Sequence, residues 1–304
     1  MNASHDLPYS PAVPAITSRL PNVGTTIFTV MSVLATQKGA VNLGQGFPDF
    51  ARDPRIVDAV SNAMRDGHNQ YPPPWPARRY AISEKIGRLY GRQYDAEREI
   101  AVTAGATQAI LTAILCFVHP GDEVVVIEPM YDGYVPAIEL AGGKPVFVSL
   151  EAPDYALPFD KIAVAITPKT RLLIINSPHN PTGRFWRTVD MQKLDEILRG
   201  TDVLILSDEV YEHMVFDGAP HESVCRYPDL AACSFVVSSF GKTFHVTGWK
   251  VGYVVAPAAL TTEFRKGPPV QRLHREYADA GRHCGIPEGP RSVPRVTRFL
   301  SAKT

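Results

Sequence analysis

From residue 100 onward, short runs of apolar, mostly β-branched residues alternate with stretches of helical spacing. The runs are IAVT (100–103), EVVVIE (123–128), KPVFVSL (144–150), RLLIIN (171–176), DVLILSD (202–208), SFVVSS (234–239) and GYVVA (252–256). A sheet with one wet face would show strict apolar–polar alternation. Continuous apolar runs instead suit strands covered on both faces, and helices between them predict an α/β fold around a mostly parallel sheet.

Upstream, residues 26–40, 54–67 and 78–90 carry helical spacing. VNLGQGFPDF (41–50) reads as an ordered loop, and NQYPPPWPARR (69–79) as an extended segment stiffened by proline. Residues 1–25 are rich in Pro and Ser and read as a mobile arm. After Lys266 neither period persists, and residues 267–304 predict little regular structure.

The chain has 304 residues, 45% of them hydrophobic and 20% charged, enough for one large domain or two moderate ones with a true core. A formal net charge of zero argues against a nucleic-acid footprint. Cys116, Cys225, Cys233 and Cys284 include no C-x-x-C pair, so neither a zinc site nor a dithiol redox site is indicated. MNASHDLPYS at the N-terminus lacks a signal-peptide pattern, and no apolar run is long enough to span a bilayer. The expectation is a cytoplasmic protein that engages no membrane.

The stretch SSFGKTFHVTGWKVGY (238–253) poses a chemical choice. Gly-Lys-Thr ends a phosphate-cradling loop of the form G-x-x-x-x-G-K-[ST], but the first glycine of that form falls on Val236, inside an apolar strand. No G-x-G-x-x-G follows a strand either. The other use of Lys242 is as a reagent. A desolvated lysine with cationic company, here Lys250, loses its proton readily and condenses with an aldehyde. A pyridoxal phosphate site asks for such a lysine, a carboxylate facing the pyridine nitrogen, and a phosphate cup.

The motifs VNLGQGFPDF, NQY, TAGATQA, EPMYDGY, NSPHNPTG, SDEVYEH and SSFGKTFHVTGWKVGY follow one another in order between about residues 25 and 266. In their number, order and spacing the chain resembles the pyridoxal-phosphate aminotransferases of fold type I, class I/II group, and within them the methionine- and kynurenine-type branch. The resemblance implies the aspartate aminotransferase-like large domain, with Lys242 as the Schiff-base lysine and proton shuttle. Asp208 then pairs with the pyridine nitrogen. Tyr211 and Asn180 reach the cofactor's phenolic oxygen, and Asn180 also the substrate carboxylate. Gly105, Ala106 and Thr107, with Ser239 and Lys250, hold the phosphate, and Tyr131 stacks on the ring. Gly46 lies in a loop lining the substrate side. Tyr71 crosses to the neighbouring subunit's phosphate, which makes the working unit a homodimer.

Each residue also has a plainer reading. An aspartate after a strand is a common helix N-cap, and Asn-Pro-Thr-Gly is ordinary turn chemistry. Gly105–Thr107 suits any strand-to-helix turn, and Tyr131 and Tyr211 suit core packing. The turn at Asn180 is compatible with both readings, and Asn176 is expected to serve the loop backbone.

The implied activity is amino-group transfer between a methionine, aromatic or kynurenine-like amino acid and a 2-oxo acid. A carbon–sulfur β-lyase on the same site and an impaired remnant that still binds the cofactor are the alternatives. The expected division is residues 1–50 as an arm and part of a small domain, 51–266 as the large cofactor domain, and 267–304 as a tail outside the resemblance. The abrupt change at EFRK suggests a shifted reading frame or a truncated gene, with the small C-terminal domain and its carboxylate-binding arginine largely missing. Arg272, Arg275, Arg282, Arg291, Arg295 and Arg298 stand in no matching motif.

Overall fold

A computed structural model describes residues 17–42, 44, 50–69 and 77–267 of the chain. Gly46, Tyr71 and the tail from residue 268 lie outside the described residues. The helices are α1 (Ile27–Lys38), α2 (Pro54–Arg65), α3 (Ala77–Tyr90), α4 (Gly105–Phe117), α5 (Tyr134–Ala141), α6 (Phe159–Ala165), α7 (Thr188–Leu198), α8 (Pro228–Ala232), α9 (Phe240–Thr243) and α10 (Ala258–Phe264). The strands are β1 (Ile100–Thr103), β2 (Glu123–Glu128), β3 (Lys144–Ser149), β4 (Thr170–Asn176), β5 (Leu204–Asp208), β6 (Ser234–Ser239) and β7 (Gly252–Val255). All seven expected runs are strands, and all three expected upstream helices form. The second helix stops at Arg65, two residues short of Gly67, which turns the chain with a left-handed φ of 84°.

The strands form one sheet in the order β1-β7-β6-β5-β4-β2-β3. Pairings among β2, β3, β4, β5 and β6 are parallel, whereas β7 runs antiparallel to both β6 and β1. Alternation along the strands sends side chains to two separate cores. Val124, Val126, Leu172, Ile174, Leu206 and Phe235 pack with Ala109, Ile110, Ala113 and Ile114 of α4, Ile138 of α5 and Phe264 of α10. Val125, Ile127, Leu173, Ile175, Ile205 and Val236 pack on the other face with Ile82 and Ile86 of α3, Ile162 of α6, and Met191 and Leu194 of α7. Except at the edge strand β3, where Phe147 is exposed, both faces are therefore dry, which is why the runs lack polar alternation.

Because β1 and β6 each oppose β7, β1 points the same way as the parallel set. The carboxyl ends of β1, β4, β5 and β6 thus gather at one edge, and β7 starts there. Ligands of open α/β sheets bind at such an edge. Among the described residues no helix is long and apolar enough to cross a membrane. Helix α1 is capped by the Thr26 hydroxyl and by Gly39 in the left-handed region, yet buries none of its side chains.

Candidate active site

Asp208 is the last residue of β5 and only 4% exposed. Its place in the β alternation turns it toward the α4–α5 side, where the Tyr134 hydroxyl donates to Oδ2 at 2.6 Å. The other oxygen accepts a longer bond, 3.3 Å, from the Val210 amide. Burial pushes the carboxyl up from its ordinary 3.8 to about 6, against the pull of those two bonds. Tyr134 was not singled out in the sequence, although it closes the quoted EPMYDGY motif. Its signal was a tyrosine opening a helix three residues after Tyr131, whose ring it meets edge-on at 5.5 Å.

Lys242 sits in the single turn of α9, directly after β6. Ser239 opens that turn by accepting from the Gly241 amide at 3.1 Å, and its hydroxyl donates to the Val251 carbonyl at 3.4 Å. The Lys242 ammonium lies 5.4 Å from the centre of the Tyr211 ring, a cation–π contact. Among the described residues it has no carboxylate partner. Burial first, and then the charge of Lys250, lower its pKa below the ordinary lysine value. Asp208 and Lys242 leave neighbouring parallel strands, since Asp208 is in register with Val237. Tyr211, which feels the charge of Asp208, stands between their roles. The sequence thus brings a deprotonation-prone amine and a dry carboxylate to the same sheet edge.

The third element is the start of α4. Gly105 takes a left-handed φ of 81°, and no side chain caps the helix at Ala104. The first-turn amides of Gly105, Ala106 and Thr107 thus have no side-chain cap, an arrangement that favours an anion. The Ala104 amide bonds the Gln108 side-chain oxygen, while the Gln108 amide nitrogen is buried and has no partner among the described residues. Lys250, itself left-handed at φ 53°, leads into Gly252, which is in register with both Thr103 and Ser239. A Cβ at Gly252 would stand 2.7 Å from the Gly105 carbonyl carbon and 2.8 Å from the Ala106 nitrogen. Glycine is needed there so that two backbones can meet at the cup. Gly252→Ala is expected to force the start of α4 away, costing about 1–3 kcal/mol of stability and loosening anion binding in the same variant. Thermal unfolding with and without added phosphate checks both.

Thr107 and Tyr131 bring their hydroxyls to 3.4 Å, so the cup and the aromatic wall adjoin. The Asn180 loop is held by the Gly183 amide on the His179 carbonyl and by the His179 ring on the Thr182 hydroxyl at 2.8 Å. Asn176 serves that loop as expected: its Oδ1 accepts from the Asn180 amide, and its Nδ2 donates to the Asp208 carbonyl at 2.8 Å. Asn180 is therefore tied to Asp208 through one side chain. Ser238, one residue before Ser239, turns to the opposite face and bonds Glu212.

A family model described as "Aminotransferase class I and II" matches residues 38–268. The chain belongs to the class I and II aminotransferases. It is 46% identical over 259 residues to the methionine aminotransferase of Escherichia coli, covering 84% of this chain and 67% of that one. It is likewise 46% identical over 254 residues to the probable N-succinyldiaminopimelate aminotransferase of Mycobacterium tuberculosis, covering 82% and 64%. The chain thus spans about two thirds of the length of these curated relatives. The solved structure of the E. coli methionine aminotransferase superposes with a TM-score of 0.90 at 42% identity, covering 96% of this chain and 77% of that one. The mostly parallel sheet is that of the aspartate aminotransferase-like pyridoxal-phosphate enzymes. The cofactor of this family is pyridoxal phosphate, and the residues present suit it: an amine without a carboxylate partner at Lys242, a buried carboxylate at Asp208, and the Gly105–Gly252 cradle that a Cβ would fill.

Proposed function

We propose that this aminotransferase-family chain transfers amino groups from a methionine, aromatic or kynurenine-like amino acid to a 2-oxo acid. The observation that carries the reading is the amine of Lys242, desolvated and without a carboxylate, at the strand end beside the buried Asp208. Pyridoxal phosphate, when bound, supplies an aldehyde that condenses with amines and a ring that withdraws electrons from the α-carbon.

The protein's own groups do the rest. Lys242 Nζ would be the group that holds the cofactor, through its aldehyde. The same nitrogen would accept the proton of a bound substrate's α-carbon, a role that suits its lowered pKa. Asp208, kept dry and bonded by Tyr134, would face the ring nitrogen and favour its protonated form. Tyr211 and Asn180 would serve the phenolic oxygen, and Asn180 also the substrate carboxylate. Tyr131 would cover the ring face. The amides of Gly105, Ala106 and Thr107, the Ser239 hydroxyl and Lys250 would hold the phosphate.

The same reading assigns residues 51–266 to the large domain, lines the substrate side with Gly46, and draws Tyr71 from a second subunit, so that a homodimer is the working unit. Free Cys116, Cys225 and Cys233 are consistent with the reducing cytoplasm. The deciding experiment is the visible spectrum of the purified chain with pyridoxal phosphate, before and after L-methionine. The expected result is an absorbance band that shifts on addition, with release of the matching 2-oxo acid. A band that ignores every amino acid offered overturns the reading.

A further inference from the structure

Under the face of the sheet opposite Asp208 lies a polar cluster that the proposed chemistry does not use. At its centre is Glu212, 3% exposed. Its Oε1 accepts from Lys85 Nζ at 2.5 Å and from the Ser238 hydroxyl at 2.6 Å, and its Oε2 accepts from the Tyr90 hydroxyl at 2.6 Å. Lys85 also donates to the Tyr253 hydroxyl at 2.8 Å. All five side chains are buried. His213 lies 4.0 Å from Glu212, and Glu209 and the edge of the His221 ring flank Tyr90.

The cluster spans four segments: α3, the turn after β5, β6 and β7. Three of these carry cofactor-site residues. Glu212 directly follows Tyr211, Ser238 stands four residues before Lys242, and Tyr253 three after Lys250. Burial works against both charges, and the pair overcomes it, holding Lys85 above and Glu212 below their ordinary values. A buried ion pair contributes little net stability compared with apolar residues of the same volume. What it does impose is geometry, because every partner must meet one carboxylate. The hydroxyl on β6 and the turn behind β5 are pinned to the same two oxygens.

We propose that Glu212 and Lys85, with Tyr90, Ser238 and Tyr253, are positioning residues that set the Tyr211 ring against the Lys242 amine from beneath the sheet. The proposal rests on the functional reading above. It predicts that neutralising the pair disturbs Lys242 more than it disturbs folding.

The test compares the parent, Lys242→Ala, Lys85→Met/Glu212→Gln and Ser238→Ala, all loaded with pyridoxal phosphate. Urea unfolding reports the fold, the pH titration of the visible band reports the group on Lys242, and dilution reports cofactor release. The double variant is expected to unfold near the parent's midpoint, while its titration midpoint moves by roughly half a unit or more and release is about tenfold faster. Ser238→Ala keeps the ion pair but frees β6, and is expected to move both readouts in the same direction by less. It decides the matter if the double variant does not fold. Titration and release matching the parent in the folded variants overturn the proposal. A parent band that persists in Lys242→Ala overturns the functional reading instead.

Discussion

Lys242→Ala is expected to abolish covalent attachment of pyridoxal phosphate and to lower amino-group transfer by about 10⁴-fold or more, the upper end for loss of a general base. No neighbour can stand in. Lys250 is held in a left-handed backbone conformation, and among the described residues the cation–π contact with Tyr211 is made by Lys242 alone. Lys242→Arg is expected to fail as completely, since a guanidinium keeps its proton and does not condense with aldehydes. Folding is expected to survive both changes, because Lys242 contributes no hydrogen bond or ion pair to the described structure. Borohydride reduction of the loaded protein, followed by peptide mass mapping, identifies the modified lysine. Mass on a peptide lacking residue 242 refutes the assignment.

Asp208→Asn is expected to separate stability from function. The carboxyl titrates near 6 when folded and near 3.8 when not. Between those values the folded chain holds more protons, so the ionised side chain costs stability that accrues as pH rises through the window and stays constant above it. About two units correspond to roughly 3 kcal/mol. Without cofactor, the amide variant is expected to be more stable than the parent by up to that amount above pH 6. The gap closes as pH falls below 4. Transamination is expected to drop about 10²–10³-fold, the usual cost of losing one preorganised electrostatic partner. Urea titrations at pH 4 and pH 7.5, paired with rates, test both halves. A parent more stable than the variant at pH 7.5 without cofactor contradicts the burial argument.

Strands buried on both faces advertise themselves, and six of the seven apolar runs became strands for that reason; the seventh, β3, forms at the sheet edge with Phe147 exposed. Strand direction is not written in such runs, so the reversal of β7 was invisible until its neighbours were known. The site shows the same division. Lys242, Asp208, Tyr211 and Gly105 lie in motifs whose residue types already imply chemistry. Tyr134 and Gly252 matter through what they touch, and touching is a property of the closed sheet. Lys85 left one trace, a lysine beside Ile82 and Ile86 on the apolar face of α3, where a charge requires a buried partner. Nothing nearby in sequence named Glu212 as that partner.

The antiparallel seam of β1 with β7 joins positions roughly 150 residues apart, Thr103 opposite Gly252. A slip of one position along that seam would turn Tyr253 to the wrong side and lift Gly252 off the start of α4. Under the proposed reading, phosphate capture would therefore double as a gauge of assembly. A nascent or fragmentary chain holding every residue up to β6 would lack the strand that closes the cup, so anion affinity would emerge late, after the slowest long-range contact.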